Sequence, residues 1–221
     1  MPSWVKGLLT VVLCATLPAG VLAVVFAAAG VFTELSWLVV AAAAVGLGYG
    51  LEAGVLVIYD LATPVGWVAL LVDLTWSIAN TVWGFVVGNI LFLCFGTPSR
   101  VSSTGAHWIV YLPRTAGGFG TNLLQTHGTV NLGGAGQHEK MHLLQARLLG
   151  PLYLPLFGAC YVVTALLQLL WSATFGWILV LAKVRGHVAL HPPARSAVPG
   201  LWGWIYYATP LELWAYAAGN P

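Results

Sequence analysis

Four apolar stretches constrain this chain before anything else does. Residues 7–32, 35–58, 65–95 and 151–181 each carry at most one charged side chain. Each is longer than the roughly 20 residues a helix needs to cross a bilayer. A soluble domain carries about 25% charged residues, whereas this chain carries 6% and is 59% hydrophobic. The expected fold class is an all-α polytopic membrane protein with about four transmembrane helices, built as a single membrane domain over residues 1–221. Many of the eleven Trp and eight Tyr flank the apolar runs, as interfacial belts do.

The runs differ in what they bury. The first ends at Ala27-Ala28-Ala29, which a signal peptide would use as a cleavage site. The run is long for that role, so it is expected to stay as a helix, kinked at Pro18. The second is rich in small residues, from Ala41 to Gly50, which suits close helix packing, and it contains Glu52. The third places Asp73, Ser77, Asn80 and Gly84 at helical spacing, a polar stripe facing the interior. Such a stripe is either a functional site or an interhelical hydrogen-bond cluster.

Residues 96–150 are less apolar and are expected outside the bilayer or as a re-entrant segment. Residues 107–112 are β-prone and end at Pro113. Residues 123–132 read as a β-hairpin turning at Thr126-His127-Gly128. Residues 182–221 are expected to form an interfacial segment, with loops at Pro192-Pro193 and Pro199-Gly200 and a last helix opening at Thr209-Pro210. The net charge is +2, and the eight Lys and Arg are scattered, so no basic patch marks a nucleic-acid surface. Those flanking the spans divide four against four, which leaves orientation open. Cys14, Cys94 and Cys160 lie in apolar runs and read as small hydrophobes.

Chemistry concentrates at His138-Glu139-Lys140-Met141-His142, an H-E-x-x-H sequence. Leu143, Leu144, Ala146, Leu148 and Leu149 extend it with helix formers, and Gly150-Pro151 ends it. On a helix, residues four apart share one face. Two imidazoles so placed can bind one Zn2+, and Glu139 then stands beside the metal as a proton acceptor. A catalytic zinc wants a third protein ligand. Glu212 is the first candidate and Asp73 the alternative. His107, His127, His187 and His191 are further candidates, each with a plainer role in a turn or loop. Thr209-x-x-Glu212 is also a capping box, so Glu212 has a purely local reading too. Gln145, three residues after His142, is placed to orient a ligand from outside the coordination sphere.

His138-Glu139-x-x-His142, followed by an apolar span and Glu212-x-x-Ala215, resembles the membrane gluzincins, the HtpX-like and CAAX-processing zinc peptidases. The resemblance covers the motif helix and one tetrapeptide. It departs from the family at Lys140 and at Tyr216, where the family pattern has Asp. It implies Zn2+ on His138, His142 and Glu212, Glu139 as general base, and a location in the bacterial inner membrane. The partners expected are membrane lipid and a peptide or membrane-protein substrate bound extended along a strand edge, with no nucleic acid and with room for a homo-oligomer. The rival expectation is a non-enzymatic membrane protein with a structural or vestigial metal site that acts through partner binding.

Overall fold

The computed structural model describes residues 1–113, 125–127, 136–176 and 205–219. Helices α1 (Ser3–Ala28) and α2 (Phe32–Leu56) form an antiparallel hairpin through a turn at Gly30, whose φ is +71°. Their axes approach closely because glycines line the contact. A Cβ at Gly46 would stand 2.0 Å from the Cys14 carbonyl oxygen, and one at Gly54 would stand 2.6 Å from that of Gly7. α1 continues through Pro18. Both helices keep large apolar side chains on the outside, Val24 and Val40 among them, at about 70% exposure. That is the reverse of a water-soluble hairpin.

The third apolar stretch differs from the sequence expectation. Instead of one span it makes α3 (Pro64–Leu74) and α4 (Ile78–Trp83), and the chain bends by 80° between them. α3 starts where expected, with Thr63 accepting from the Gly66 amide and Pro64 in the first turn. A π-turn (Gly84–Asn89) and α5 (Ile90–Phe95) then lead into the sheet. The described residues therefore contain three helices long and apolar enough to cross a membrane: α1, α2, and the run through α7 and α8 described below. A fourth is added if the bent pair counts as one span.

The sheet has three short antiparallel strands in the order β1 (Gly96–Pro98), β2 (Ile109–Pro113), β3 (Gln125–His127). A short α6 (Arg100–Ser103) joins the first two. Thr126 and His127, expected in a hairpin turn, instead belong to a strand that pairs with β2, with Ile109 opposite His127 and Tyr111 opposite Gln125. The rest of the expected hairpin lies outside the described residues. β2 is buried on both faces. Ile109 and Tyr111 join the core of α1, α2 and α3, while Trp108 and Val110 join Leu143, Ala146, Tyr153 and Leu211. Alternation along one strand thus separates two cores.

The motif helix is α7 (Gln137–Leu149), followed by a 3₁₀ turn, α8 (Tyr153–Trp171) and a π-turn to Gly176. α9 (Pro210–Gly219) packs on α7. Its residues Leu211, Glu212 and Ala215 are buried, so this part of the C-terminal segment is core. Residues 177–204 lie outside the described residues.

The polar stripe explains the 80° bend. A helix leaves its last carbonyls without partners, and those of α7 end among apolar side chains. Ser77 Oγ donates to the Ala146 carbonyl at 3.1 Å, Asn80 Nδ2 to that of Gly150 at 2.8 Å, and Trp76 Nε1 to that of Leu148 at 3.2 Å. A straight helix through residues 75–77 would turn Trp76 and Ser77 to different faces. One turn earlier, Asp73 takes a bidentate bond from Arg147, at 2.8 and 2.7 Å, and the Tyr59 hydroxyl at 2.7 Å. The stripe is a clamp on α7. Of its two expected roles, the structure shows the hydrogen-bonded one.

Asp73 is fully buried and the Arg147 side chain is 17% exposed. Asp73→Ala should therefore cost about 3–5 kcal/mol, because it leaves the guanidinium unpaired. Asp73→Leu combined with Arg147→Met should recover most of that. Unfolding of the three proteins in one detergent checks this, and a double variant as unstable as the single one would refute it.

Candidate metal centre

α7 presents His138 and His142 one turn apart, and α9 brings Glu212 to them. The three ligand atoms form a compact triangle. His138 Nε2 lies 3.0 Å from Glu212 Oε2, His142 Nε2 lies 3.1 Å from the same oxygen, and the two nitrogens are 3.1 Å apart. Among the described residues this is the group of His, Cys, Asp and Glu that could hold a metal ion. Bonds of about 2.0–2.1 Å in a tetrahedral zinc site give ligand separations of roughly 3.3–3.4 Å. The observed edges fall within a few tenths of an ångström of that.

The hydrogen bonds behind His142 fix its tautomer. Gln145 Nε2 donates to the Leu211 carbonyl at 2.9 Å, which sets the amide orientation. Gln145 Oε1 then faces His142 Nδ1 at 2.9 Å. An amide oxygen only accepts, so His142 carries its proton on Nδ1. In the neutral ring Nε2 is a bare lone pair, aimed at a carboxylate oxygen and at a second imidazole nitrogen. A lone pair facing a carboxylate oxygen repels it unless positive charge stands between them. A proton can serve one edge of the triangle at a time, whereas a cation serves all three corners.

The rest of the pocket holds the ligands in place. Tyr161 donates to Glu212 Oε1 at 2.7 Å, which leaves Oε2 for the imidazoles. Both carboxylate oxygens are thus engaged in the site, and Thr209 Oγ1 bonds the Ile205 carbonyl at 2.8 Å, so the capping box is not what Glu212 serves. Burial pushes the Glu212 carboxyl up, but its contacts with His138, His142 and Tyr161 outweigh it and hold the group at about 2. Phe157 stands edge-on to His142 at 6.0 Å, and Tyr216 lies 4.2 Å from His138, ring centre to ring centre. The Tyr206 hydroxyl is 3.4 Å from His138 Nε2. Burial, a hydrogen bond with Tyr216 and the nearby carboxylates all keep this phenol protonated.

Glu139 is partly buried and outside the triangle, close enough for its charge to act on His142 and Tyr206. Lys140, its neighbour in the motif, turns outward over the Trp108 ring at 5.8 Å. Asp73, the alternative third ligand, is elsewhere, bound to Arg147 and Tyr59. Its charge already has a counterion, so it does not complete the site. His107 stacks on Tyr59 and accepts Arg147 at its carbonyl. His187 and His191 lie outside the described residues.

The aromatic wall is what the sequence reading passed over. Tyr153, Phe157 and Tyr161 recur every four residues on α8, and their rings stack in series at 5.5 and 4.9 Å. That spacing was visible in the sequence as a stripe on one face. Its direction toward Glu212 was not. Tyr216, likewise, follows Glu212 by one turn. No protein-family model matches the chain, and no curated protein or solved structure is detectably similar to it.

The Gln145 amide fixes the His142 tautomer. Gln145→Leu should therefore weaken zinc binding by about 10–100-fold. Competition against a chromophoric chelator measures this, with far-ultraviolet circular dichroism to confirm that helix content is kept. An unchanged zinc affinity would show that the amide does not set the ligand.

Proposed function

We propose that this chain is an integral-membrane zinc metallopeptidase, with His138, His142 and Glu212 as the metal ligands and Glu139 as the general base. The observation that carries the reading is the convergence of His138 Nε2, His142 Nε2 and Glu212 Oε2 within 3.1 Å, with the His142 proton held on the far side of the ring. Three apolar helices of spanning length support the membrane setting. The resemblance to membrane gluzincins supports a bacterial inner-membrane location.

Zinc held at such a site supplies Lewis acidity, lowering the pKa of water and polarising a carbonyl. The protein's own groups do the rest. Glu139, next to a ligand and not itself one, takes the proton from the attacking water and returns it to the leaving amine. Tyr161 and Gln145 hold Glu212 and His142 so that neither ligand rotates away. Substrate is a peptide segment within or beside the membrane, bound extended along a strand edge.

A second reading, a structural metal site, draws on burial. His142 is 5% exposed and Glu212 2%, and structural sites are closed. The two readings part at Glu139. Under the first, Glu139→Gln keeps zinc at one equivalent and keeps stability, but lowers peptide cleavage by about 10²- to 10⁴-fold. His138→Ala loses zinc in either case. Zinc stoichiometry, thermal unfolding and cleavage of a peptide library on the same three proteins decide between them. A Glu139→Gln variant that cleaves as fast as the parent would exclude the proposed mechanism.

A further inference from the structure

α8 carries a glutamine that the metal centre does not use. Gln168 stands seven residues after Tyr161, on the face of α8 from which Tyr161 reaches Glu212. It is 1% exposed, and among the described residues its Oε1 finds no hydrogen-bond partner. Buried amide oxygens are almost always paired, so this one needs an account. The residue borders a cavity of about 320 Å³ between α8 and the start of α9, lined also by Cys160, Val163, Leu167, Ala208 and Pro210. Val163 and Leu167 are half exposed, so the cavity opens on the outer face of the helix. One turn further along, the Trp171 indole N–H is likewise buried without a partner.

An acceptor and a donor left open one turn apart narrow the choice of occupant. A lipid acyl chain suits the apolar wall but offers neither bond. A water bridges polar groups, but its share of volume is about 30 Å³ and it needs two to four polar partners. An extended peptide meets every requirement. Each residue of a strand turns its N–H and its C=O to the same edge, and its side chain is free to fill an apolar cavity. We propose that this cavity is a substrate-recognition pocket. It takes a bulky apolar side chain of an extended peptide, while Gln168 Oε1 accepts a backbone N–H and the Trp171 indole donates to a backbone carbonyl.

The position of the pocket gives a register, which rests on the peptidase reading. Pro210, in its wall, is two residues from Glu212. Gln168 lies beyond Tyr161 by roughly 10 Å along a helix that rises 1.5 Å per residue. A strand covers about 3.3 Å per residue, so the bound side chain sits about three residues from the peptide bond at the metal centre. Packing alone does not call for an amide here. An unpaired buried oxygen lowers stability, and a leucine would fill the same place in an apolar helix without that cost.

Cys160 is a reporter inside the pocket. Cys14 is buried and Cys94 exposed, so Cys94→Ser leaves Cys160 as the accessible thiol. The background also carries Glu139→Gln, to keep peptides intact. An acetylated alanine octapeptide with one central Phe should slow N-ethylmaleimide labelling of Cys160 in detergent. About tenfold protection at about 1 mM is what mass action gives for a Kd of about 0.1 mM. The all-alanine octapeptide should not protect. Gln168→Leu should remove the protection and raise Tm, because it deletes an unpaired buried oxygen. Absence of protection by the Phe peptide would overturn the proposal, as would equal protection by the all-alanine peptide or protection that survives Gln168→Leu. A fall in Tm in that variant would overturn it too, by showing that the amide already holds the helices together. Cleavage by the chain with Glu139 intact is read separately. Cleavage without protection would keep the peptidase reading and lose the pocket, and protection without cleavage would keep a peptide-binding pocket and lose the peptidase reading.

Discussion

Everything about the metal helix depends on how its C-terminal end is held. α7 is short, and it ends among apolar side chains, where unpaired carbonyls cost several kcal/mol each. The α3–α4 corner supplies side-chain donors to the Ala146, Leu148 and Gly150 carbonyls, and Arg147 supplies the one charge that fixes the corner to the helix. Gly150, with φ at +55°, lets the chain leave between these contacts, and a Cβ there would strike the Trp76 ring at 2.3 Å. The clamp sits two turns from His142 and sets its position. A peptidase or a structural site would need that rigidity equally.

The membrane-spanning pattern and the motif helix were legible because both are local. Spacing alone puts His138 and His142 on one face, and length alone marks α1 and α2 as apolar spans. Glu212 was legible for a different reason: few carboxylates exist in this chain, and one of them opens a helix downstream. What could not be read was anything that depends on where an element points. The run 65–95 looks like a span by hydropathy, because hydropathy is blind to a bend that turns side chains onto another helix. Thr126 and His127 look like a turn by composition, yet they pair with β2. Partner choice is non-local, and a three-residue strand carries too little pattern to announce it.

The strand β2 shows why the two halves of the chain act as one unit. Trp108, just before it, and its first three residues, Ile109 to Tyr111, are all buried, and they alternate between the α1–α2–α3 core and the α7–α8–α9 core. Tyr111 reaches Glu52 on one side, while Trp108 and Val110 pack against the helix that carries the histidines on the other. A shift of β2 by one residue would exchange those two sets entirely. Register therefore couples the Tyr111–Glu52 hydrogen bond to the histidine helix through packing, with no side chain common to both.

Two carboxylates buried in this apolar fold, Asp73 and Glu212, face one problem, since an isolated charge in low dielectric is costly. The surroundings of each decide how it is met. Asp73 lies against a guanidinium and two bonds form in register, so it serves as half of a salt bridge. Glu212 meets two imidazole nitrogens, at a spacing that suits a shared cation. The same residue type is thus sorted into two roles by the groups nearby. A sequence that reads only Asp73 and Glu212 as buried acids cannot separate those roles, whereas the partners around each do.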